Sequence, residues 1–477
     1  MGKVLSVASE CVPLIKTGGL ADVVGALPKA LAAEGWDMRV LLPAYPGLEA
    51  RLERAEVIWR DSDLFGGPAR VLRGSVGGLE ILLLVAPHLF DRAGGLYASG
   101  GADHADNPER FAALSWAAAE IARGAGQDGW RPDILHAHDW QGGLAPAYLR
   151  YGPPARAKSV LTIHNMAFQG IAPASRLGTL RLPGHAFTSE GLEYYGNLST
   201  LKAGLVTADR ITTVSPTYAE ELMRPEFGMG LQGVLAARAA DLQGILNGVD
   251  EAVWSPEADP EITPYSTRSL KGKAVNRQRL LDEFGLEAVE GPLAIVVSRL
   301  TDQKGIDLLA GALDGFVQAG GGLALLGAGD PGLEGAMQAA AGRWPGRVGV
   351  RIGYDEALAH RMFAGGDAVL VPSRFEPCGL TQMYGLRYGT IPVVAATGGL
   401  NDTVIGATPA SLAAEAATGI TFHPVDGIAL SGALRRLVQL HADRRLFEAM
   451  RRRAMRAEVG WSGPARAYAA LYRNLMS

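Results

Sequence analysis

Short apolar runs alternate along the chain with longer segments whose apolar residues recur at helical spacing. Residues 4–8 form the first apolar run, and residues 20–33 follow with a helical pattern. Buried parallel strands have near-continuous apolar runs, and the crossover between them is usually a helix. The alternation therefore predicts βαβ units and a mainly parallel sheet in the first half of the chain. Further strand candidates there are residues 40–42, 81–85, 134–136, 160–163 and 211–214, with a helix at 111–122.

The alternation breaks at residues 245–260, where Asn-Gly, two prolines and several acids are typical of a turn-rich connector. It then restarts, which predicts a second α/β half of comparable size facing the first across a hinge. Open α/β sheets bind ligands at the carboxyl ends of their strands, so we expect a deep cleft there. The last helix candidate, residues 464–475, is expected to pack back on the first half. The second half has strand candidates at 293–297, 323–326, 348–352, 368–371 and 391–394, and helices at 305–319, 333–342 and 379–388.

Composition narrows the class of protein. The 477 residues carry a net charge of −4 and include 48% apolar residues, which fits a globular chain long enough for two cores. The densest basic run, residues 451–453 with Arg456, favours a solvated helix face over nucleic-acid binding. We see neither a signal peptide nor an uncharged apolar run of roughly 18 residues that could span a membrane. The two cysteines lack metal-ligand or disulfide spacing, so a reducing cytoplasm is expected.

Three glycine-containing or cationic loops carry the candidate chemistry. Residues 16–20, Lys-Thr-Gly-Gly-Leu, join the first strand to the first helix, where free N–H groups and a lysine favour an anion. Asp22 follows as a first-turn acid, and a plain glycine turn with an exposed lysine is the alternative. Residues 298–305 place Arg299 after a strand and Lys304 before a helix, which suits a diphosphate, whereas surface solvation is the alternative.

The third loop, residues 374–382, leads from a strand into a helix. Glu376 can accept two hydroxyl hydrogen bonds from a pyranose, and the N–H groups that follow can hold a phosphate or a sugar hydroxyl. A capping acid is the alternative for Glu376. Cys378 stands at the helix start, but the sequence pattern supplies no paired base, which disfavours a nucleophile there.

Polar residues end two strands of the first half, at 136–140 (His-Ala-His-Asp-Trp) and 162–165 (Thr-Ile-His-Asn). They are expected to face the cleft, and the sequence shows no compact set of metal ligands around them. Trp140 suits stacking on a sugar ring or burial equally well.

Residues 327–332, Gly-Ala-Gly-Asp-Pro-Gly, match the dinucleotide fingerprint between a strand and a helix. An NAD dehydrogenase is therefore a competing interpretation, although Pro331 and the cations near Arg299 favour a differently occupied site.

Together these loops resemble the bacterial glycogen synthases and plant starch synthases. The family signature Lys-Thr-Gly-Gly-Leu-Ala-Asp-Val is present at residues 16–23, and the resemblance extends over nearly the whole chain. It implies an α/β fold of the GT-B type, with two Rossmann-like domains facing across a deep interdomain cleft. The implied segments are an acceptor-side domain at 1–245, a hinge at 246–260, a donor-side domain at 261–460, and a terminal helix within 461–477 packing on the first domain.

The resemblance also implies an activity. A member of this family transfers glucose, with retention of configuration, from ADP-glucose to the non-reducing 4-hydroxyl end of an α-1,4-glucan. It needs no metal. It also needs no cofactor, because ADP-glucose is counted as a substrate. Its partners are ADP-glucose and glycogen, with neither nucleic acid nor membrane, and the oligomeric state stays open. The sequence does not decide the preference for ADP- over UDP-glucose.

Residue roles follow from the same resemblance. The implied catalytic residues are Asp139, His164, Arg299, Lys304 and Glu376. The implied donor and substrate residues are Lys16, Gly18, Gly19, Asp22, Asn165, Asn247, Tyr354, Cys378, Gly379, Leu380 and Thr381. The implied acceptor-side residues are Glu10, Tyr97 and Trp140. Many relatives of this fold carry a second glutamate eight positions after the first, and Tyr384 stands there, as in the synthase branch.

The loop bearing Glu376 offers no obvious second carboxylate, which a retaining glycosidase would need roughly 5–5.5 Å away. The sequence therefore favours a same-face substitution in which cations help the diphosphate leave. Competing interpretations are a sucrose- or trehalose-type glucosyltransferase with a small acceptor, the NAD dehydrogenase, and a glucan-binding protein without activity.

Overall fold

The computed structural model describes residues 1–287 and 289–477. The chain divides into two units, Met1–Asn247 together with Trp461–Ser477, and Gly248–Gly460. Within the described residues, no helix combines the length and the hydropathy that crossing a bilayer requires.

The first unit is built around a large, mostly parallel sheet. Its strands are β1 (Gly2–Val7), β2 (Trp36–Pro43), β3 (Glu53–Asp61), β4 (Ala69–Val76), β5 (Leu79–Val85), β6 (Ala98–Ser99), β7 (Ala102–Asp103), β8 (Ile134–His138), β9 (Lys158–Ile163), β10 (Ile171–Pro173), β11 (Glu193–Tyr194), β12 (Asn197–Ser199), β13 (Arg210–Thr213) and β14 (Leu242–Gly244). Its helices up to the connector are α1 (Gly19–Ala32), α2 (Pro87–Phe90), α3 (Asn107–Ala122), α4 (Asp139–Gly142), α5 (Leu144–Tyr151), α6 (Thr200–Thr207), α7 (Pro216–Glu221) and α8 (Gln232–Ala237).

The strand order of this sheet determines where its chemistry can lie. The order is β14-β13-β9-β8-β1-β2-β5-β4-β3. All pairs from β14 to β5 are parallel, and only β5-β4-β3 at one edge is antiparallel among the described pairings of this sheet. The winding direction reverses between β1 and β8. In open α/β sheets the ligand crevice lies at such a point, outside the carboxyl ends of the strands.

The second unit repeats this winding. Its strands are β15 (Leu293–Val297), β16 (Gly322–Gly327), β17 (Val348–Ile352), β18 (Ala368–Val371), β19 (Ile391–Ala395) and β20 (Ile420–Phe422). Its helices are α9 (Lys271–Phe284), α10 (Ile306–Gln318), α11 (Pro331–Arg343), α12 (Glu356–Gly365), α13 (Thr381–Tyr388), α14 (Gly398–Thr403), α15 (Pro409–Ala413), α16 (Gly427–Ala442) and α17 (Arg444–Ala454). The parallel order is β17-β16-β15-β18-β19-β20, so its switch point lies between β15 and β18.

The last helix, α18 (Ser462–Met476), belongs to the first unit. Its buried residues Tyr468 and Tyr472 pack with Leu27 and Leu31 of α1 and with Trp36 at the start of β2. The Trp36 and Tyr472 rings meet edge to face at 5.1 Å between centroids. An apolar stripe at positions i, i+3, i+4 and i+7 produces this docking face.

The apolar pattern predicted the parallel strands well, because strands covered on both faces carry nearly continuous apolar runs. The antiparallel β3 and β4 were not predicted; β3 begins with four exposed residues and shows neither a continuous apolar run nor a regular alternation. The solvated face predicted for the basic run of α17 is wrong for Arg451, whose guanidinium reaches the buried Asp367 carboxylate at 2.9 Å. That partner comes from a distant strand end and leaves no local signal.

Candidate functional site

The switch point of the second unit joins two of the predicted loops. Arg299 and Lys304 follow β15, and the segment that carries Glu376 follows β18. Gly305 allows the close approach of these loops, because it has φ 66° and a Cβ there would overlap the Pro372 carbonyl oxygen. The Arg374 N–H donates to the Gln303 carbonyl at 2.8 Å, which fixes the two loops together.

Glu376 and Lys304 form a tight ion pair at this point. Lys304 Nζ donates to Glu376 Oε2 at 2.6 Å, and Ser373 Oγ donates to the same oxygen at 2.9 Å. The Glu376 side chain is buried, with 9% of its surface exposed, so the pair lies in a setting of reduced dielectric. Both residues were predicted separately, one for the diphosphate and one for glucose hydroxyls; the structure shows that they bind each other.

Arg374 and Arg299, the other cations at this edge of the sheet, differ in their hydrogen-bond partners. Arg374 grips the Asp307 carboxylate with two hydrogen bonds of 2.7 Å, and these bonds hold the pKa of Asp307 below its ordinary value. Arg299 is exposed, and within residues 1–287 and 289–477 its guanidinium makes no hydrogen bond or ion pair. Arg299 can therefore meet an incoming anion without first breaking a bond.

The segment after Glu376 is a tight turn held by residues that sequence reasoning missed. Gln382 Nε2 donates to the carbonyl oxygens of Cys378 and Gly379, at 3.0 and 2.9 Å, and Gly379 has φ 73°. Gly398 has φ 44°, and a Cβ on it would overlap the Glu376 carbonyl oxygen. The Gly-Gly pair at 398–399, at the start of α14, was the available signal. Leu380 and Thr381 then begin α13, and the Cys378 thiol is buried.

Tyr354 lies on the loop after β17, at the same edge of the sheet. Its ring is 80% exposed, and its hydroxyl donates to Glu356 Oε2 at 2.8 Å. Tyr384, in contrast, is partly buried: its ring stacks on Trp254 at 3.7 Å, and His360 stacks on that indole at 3.9 Å. Tyr384 thus packs against the predicted connector, to which Trp254 belongs.

The glycines of the dinucleotide fingerprint serve loop packing. A Cβ on Gly327 or Gly329 would overlap a carbonyl oxygen of the 298–300 loop. The Asp330 carboxylate accepts the Gly332 and Leu333 N–H groups at 2.8 and 3.1 Å, so the N-terminus of α11 is already capped. This arrangement disfavours the pyrophosphate site that the dehydrogenase interpretation requires.

In the first unit, Glu10 follows β1 and occupies the start of α1. Its carboxylate accepts hydrogen bonds from the Thr17 N–H, from Thr17 Oγ1 at 2.6 Å and from the Gly18 N–H at 3.2 Å. Tyr97 donates its hydroxyl to Glu10 Oε1 at 2.5 Å, and burial beside this carboxylate raises the Tyr97 pKa well above its ordinary value. The loop predicted to bind an external anion thus already holds an internal one.

Lys16 and Asp22 flank this loop as a partly exposed ion pair, with Nζ and Oδ1 2.8 Å apart. Gly18 precedes α1 in an extended conformation, and a Cβ on Gly18 or Gly19 would meet open space. These two glycines therefore leave the backbone open to a ligand, rather than allowing a strained backbone angle.

Asp139 is a buried carboxylate with an uncommon backbone conformation. It follows β8, is buried and has φ 51°, a conformation that few non-glycine residues adopt. Its Oδ1 accepts the N–H groups of His164 and Asn165, at 2.6 and 3.3 Å, and so joins the ends of β8 and β9. Burial, opposed by these hydrogen bonds and reinforced by the Glu10 charge, raises the Asp139 pKa to about 7.

The histidines form a buried hydrogen-bonded network. His138 Nδ1 lies 2.9 Å from His164 Nε2, and His138 Nε2 lies 3.1 Å from Ser6 Oγ. His136 bonds Tyr472 of α18 at 2.7 Å and Thr162 at 2.5 Å. Burial lowers the His136 and His164 pKa values to about 3, so both rings are neutral near pH 7. Both nitrogens of His136 and of His138 are engaged, which disfavours metal ligation by them.

Two further predicted residues border this edge. The Trp140 ring is half-buried and packs edge to face on Phe111 at 4.9 Å, so it is partly a core residue. Asn247 is buried, and within the described parts of the chain its Oδ1 has no hydrogen-bond partner. A buried acceptor without a partner is costly unless a ligand or water satisfies it.

The comparisons with known proteins identify the family of the chain. Residues 3–237 match the family model described as starch synthase catalytic domain. A glycogen synthase of Cereibacter sphaeroides is 66% identical over 100% of this chain and 99% of its own, and one of Paracoccus denitrificans is 58% identical over 100% of both. The solved catalytic domain of starch synthase IV from Arabidopsis thaliana, bound to ADP and acarbose, is 31% identical, with a TM-score of 0.89 over 100% of both chains.

The two α/β units therefore have the GT-B type of fold that the sequence predicted. Glu10, Asp139, Arg299, Lys304 and Glu376 follow the strands that flank the two switch points. Similarity over the whole length, rather than over one motif, decides the class of enzyme. The chain belongs to the glycogen and starch synthase family of glycosyltransferases, the enzymes of glycogen synthesis.

Proposed function

We propose that the protein transfers glucose from ADP-glucose to the non-reducing 4-hydroxyl end of an α-1,4-glucan, with retention of the α configuration. The observation that carries the proposal is the grouping of Arg299, Lys304 and Glu376 at the β15/β18 switch point. It supplies cations for a diphosphate beside a carboxylate for sugar hydroxyls. The starch synthase IV structure was solved with ADP and acarbose, which supports the same ligand classes here.

On the donor side, Arg299 and Lys304 bind the diphosphate, with Lys16 as a further cation. Arg299 is exposed and unengaged within the described residues, so it meets the phosphate first. Lys304 then contacts both the phosphate and the Glu376 carboxylate. Glu376 keeps its bond from Ser373 and accepts glucose hydroxyls, while the amides of Cys378, Gly379 and Leu380 and the Thr381 hydroxyl complete the site. Tyr354, with its exposed ring, stacks on the adenine.

The reaction is a same-face substitution. The bond from glucose C1 to the diphosphate oxygen breaks with its electron pair on that oxygen, and the acceptor 4-oxygen bonds to C1. The departing phosphate oxygen takes the proton of the 4-hydroxyl, so the products are the lengthened glucan and ADP that carries this proton. Arg299 and Lys304 stabilise the charge that grows on the diphosphate, which is the kind of preorganised contact that contributes most to enzymatic rate.

A covalent glycosyl-enzyme route is disfavoured by the surroundings of Glu376. Its partners are Lys304 and Ser373, and neither is the second carboxylate of a retaining glycosidase. Asp139 acts as an orienting group, because its oxygen is committed to the backbone of His164 and Asn165. His164 is neutral and therefore serves as a hydrogen-bonding group rather than as a charged acid.

The acceptor side of the proposal consists of Glu10, Tyr97 and Trp140, with Asn247 offering its unpartnered amide oxygen. No cofactor or metal enters these steps. We also propose a cytoplasmic location, because the chain has only two cysteines, which are buried and far apart in the sequence and so offer no disulfide framework.

The test is transfer of labelled glucose from ADP-glucose to glycogen with a chelator present, and with UDP-glucose run in parallel. ADP-dependent incorporation is expected, with the anomeric configuration of the new linkage read by nuclear magnetic resonance. Arg299→Ala should lower kcat about 100-fold, while Arg343→Ala, at an exposed arginine of α11, should leave it unchanged. If neither donor gives incorporation while glycogen still binds, the proposal fails, and transfer to small sugar acceptors becomes the next candidate.

A further inference from the structure

A line of hydrogen-bonded side chains crosses three neighbouring strands of the first unit and ends at His164. Ser6 of β1 lies opposite His136 in the parallel register with β8, so Ser6 and His138 project from the same face of the sheet. The His138 ring lies between two partners: its Nε2 is 3.1 Å from Ser6 Oγ, and its Nδ1 is 2.9 Å from His164 Nε2. Ser6 and His138 are buried, and neither has a role in the steps assigned above.

The rings of His138 and His164 are both neutral near pH 7. Burial is the main cause that lowers the His138 pKa well below its ordinary value, and the His136 and His164 charges lower it further. Burial lowers the His164 pKa to about 3. A neutral imidazole carries its hydrogen on one nitrogen and has a bare acceptor on the other. Each bond of the line therefore has one direction, and the direction of one bond fixes that of the next.

The Ser6 hydroxyl decides this direction. Within residues 1–287 and 289–477, the only hydrogen-bond partner of Ser6 Oγ is His138 Nε2. A buried hydroxyl hydrogen without an acceptor is costly, so Ser6 donates and His138 Nε2 accepts. His138 then carries its hydrogen on Nδ1 and donates it to His164 Nε2. His164 must in turn carry its own hydrogen on Nδ1.

The Nδ1 atom of His164 is the nitrogen left for a ligand. It has no hydrogen-bond partner in the described parts of the chain, and the residue is half-buried at the carboxyl edge of the sheet, where the Asp139 carboxylate fixes its backbone N–H at 2.6 Å. His136 packs beside His138, with 4.3 Å between ring centroids, but its own nitrogens bond Tyr472 and Thr162. The line from Ser6 to His164 is therefore the one that sets the tautomer.

We propose that Ser6 is a positioning residue for the transfer reaction: through His138 it holds His164 in the tautomer whose Nδ1 hydrogen is donated to an oxygen atom of the transferred sugar. The inference rests on the proposed function for the identity of that sugar. The ring oxygen and the glycosidic oxygen of a sugar only accept hydrogen bonds, and a hydroxyl that donates elsewhere also needs a donor. The opposite tautomer would present a bare acceptor nitrogen to these oxygens and repel them.

The direct test reads the tautomers in the full chain with isotope-labelled histidine and without any substrate. Long-range proton–nitrogen correlation spectra distinguish the protonated ring nitrogen from the bare one, and the His164 signals are assigned by their loss in His164→Gln. In the unaltered chain, both His138 and His164 should carry the hydrogen on Nδ1. Ser6→Ala removes the only donor to His138 Nε2, so the Nδ1 form of His164 should no longer dominate, whereas Ser6→Thr, which keeps a hydroxyl, should retain it.

Ser159→Ala is the matched control, because Ser159 is another buried serine of this sheet and its hydroxyl bonds Asp209 rather than a histidine. It should leave the His164 tautomer unchanged. An unaltered chain whose His164 carries its hydrogen on Nε2 would overturn the inference without any variant. Tautomer populations that do not respond to Ser6→Ala would overturn it as well.

Kinetics connect the tautomer with the reaction. Since only the Nδ1 form is competent, kcat/KM for ADP-glucose should fall with its population, about two- to fivefold in Ser6→Ala, and Ser6→Thr should restore it. The KM for glycogen should stay as it is. A changed tautomer with unchanged kcat/KM would show that the reaction does not use it, which rejects the positioning role. If the chain transfers no glucose while the tautomer still responds to Ser6, the proposed function fails and the selection of the tautomer by Ser6 stands.

Discussion

The buried carboxyl of Asp139 provides a quantitative test of the site. Its pKa rises from the ordinary 3.8 to about 7, mainly because burial disfavours the charged form. Each tenfold change in proton binding is equivalent to about 1.4 kcal/mol, so the whole shift corresponds to about 4 kcal/mol. The folded chain binds this proton more tightly than the unfolded chain. Its contribution to stability is therefore fully present below about pH 4 and is lost as the pH rises through about 7.

Asp139→Asn removes this dependence, because the amide oxygen can still accept the N–H groups of His164 and Asn165 and no charge forms. Asparagine also suits the φ of 51°. Linkage then predicts that the substitution is more stabilising at pH 8 than at pH 5 by about 2–3 kcal/mol. The measurement is urea unfolding of both proteins at the two pH values, followed by tryptophan fluorescence.

Asp103→Asn, at an exposed aspartate of β7, is the matched control and should change stability equally at both pH values. An Asp139→Asn effect that is the same at pH 5 and pH 8 would refute the reasoning, because the carboxyl would then titrate alike in the folded and the unfolded chain. Transfer activity should fall in this variant if the charged carboxylate, rather than its shape, orients the acceptor. Activity unchanged at all pH values would assign Asp139 a structural role only.

Three further predictions concern stability. Lys304→Met should destabilise the protein by about 2–3 kcal/mol, because it leaves the Glu376 carboxylate buried beside no cation, and adding Glu376→Gln should recover most of the loss in denaturant unfolding. Gly305→Ala should cost about 2 kcal/mol or more by thermal unfolding, whereas Gly311→Ala in the open interior of α10 should be neutral or stabilising; equal effects would contradict the steric argument. Tyr472→Phe should cost about 1–3 kcal/mol by calorimetry, since it removes the hydroxyl paired with a buried histidine, and an unchanged melting temperature would show that this bond is dispensable.

Local patterning predicted most of the regular elements of the two sheets. The runs at residues 293–297 and 368–371 coincide with β15 and β18, because parallel strands buried on both faces must be apolar throughout. The run at 348–352 coincides with β17, an edge strand whose first two residues are buried. The helix predicted at 111–122 likewise lies within α3. The hairpin of β11 and β12 was missed, because its strands are short and its turn carries tyrosine where asparagine would have been a signal.

The features of the site also divide into those that the sequence predicted and those that it did not. Lys304 and Glu376 were each predicted from the loops that carry them, but their mutual ion pair was not, because the two positions are 72 residues apart and meet only through the strand order. Glu10 was predicted for the acceptor side, yet its role at the start of α1 depends on how β1 ends. The hydrogen bonds of Gln382 left no signal in the sequence, and the glycine pair at 398–399 could indicate a tight turn but not its approach to Glu376.

The sequence by itself determined the α/β class, the parallel strands, the family and the residue types of the site. Each of these follows from the local spacing of apolar residues or from short sequence motifs. Only the tertiary structure decided which charges pair, that burial raises the pKa of Asp139, and that Tyr472 of the last helix bonds His136 of β8. Those properties depend on distances between segments and on exclusion of water. Neither quantity exists until the sheets have formed and the strand order has brought distant loops to one edge.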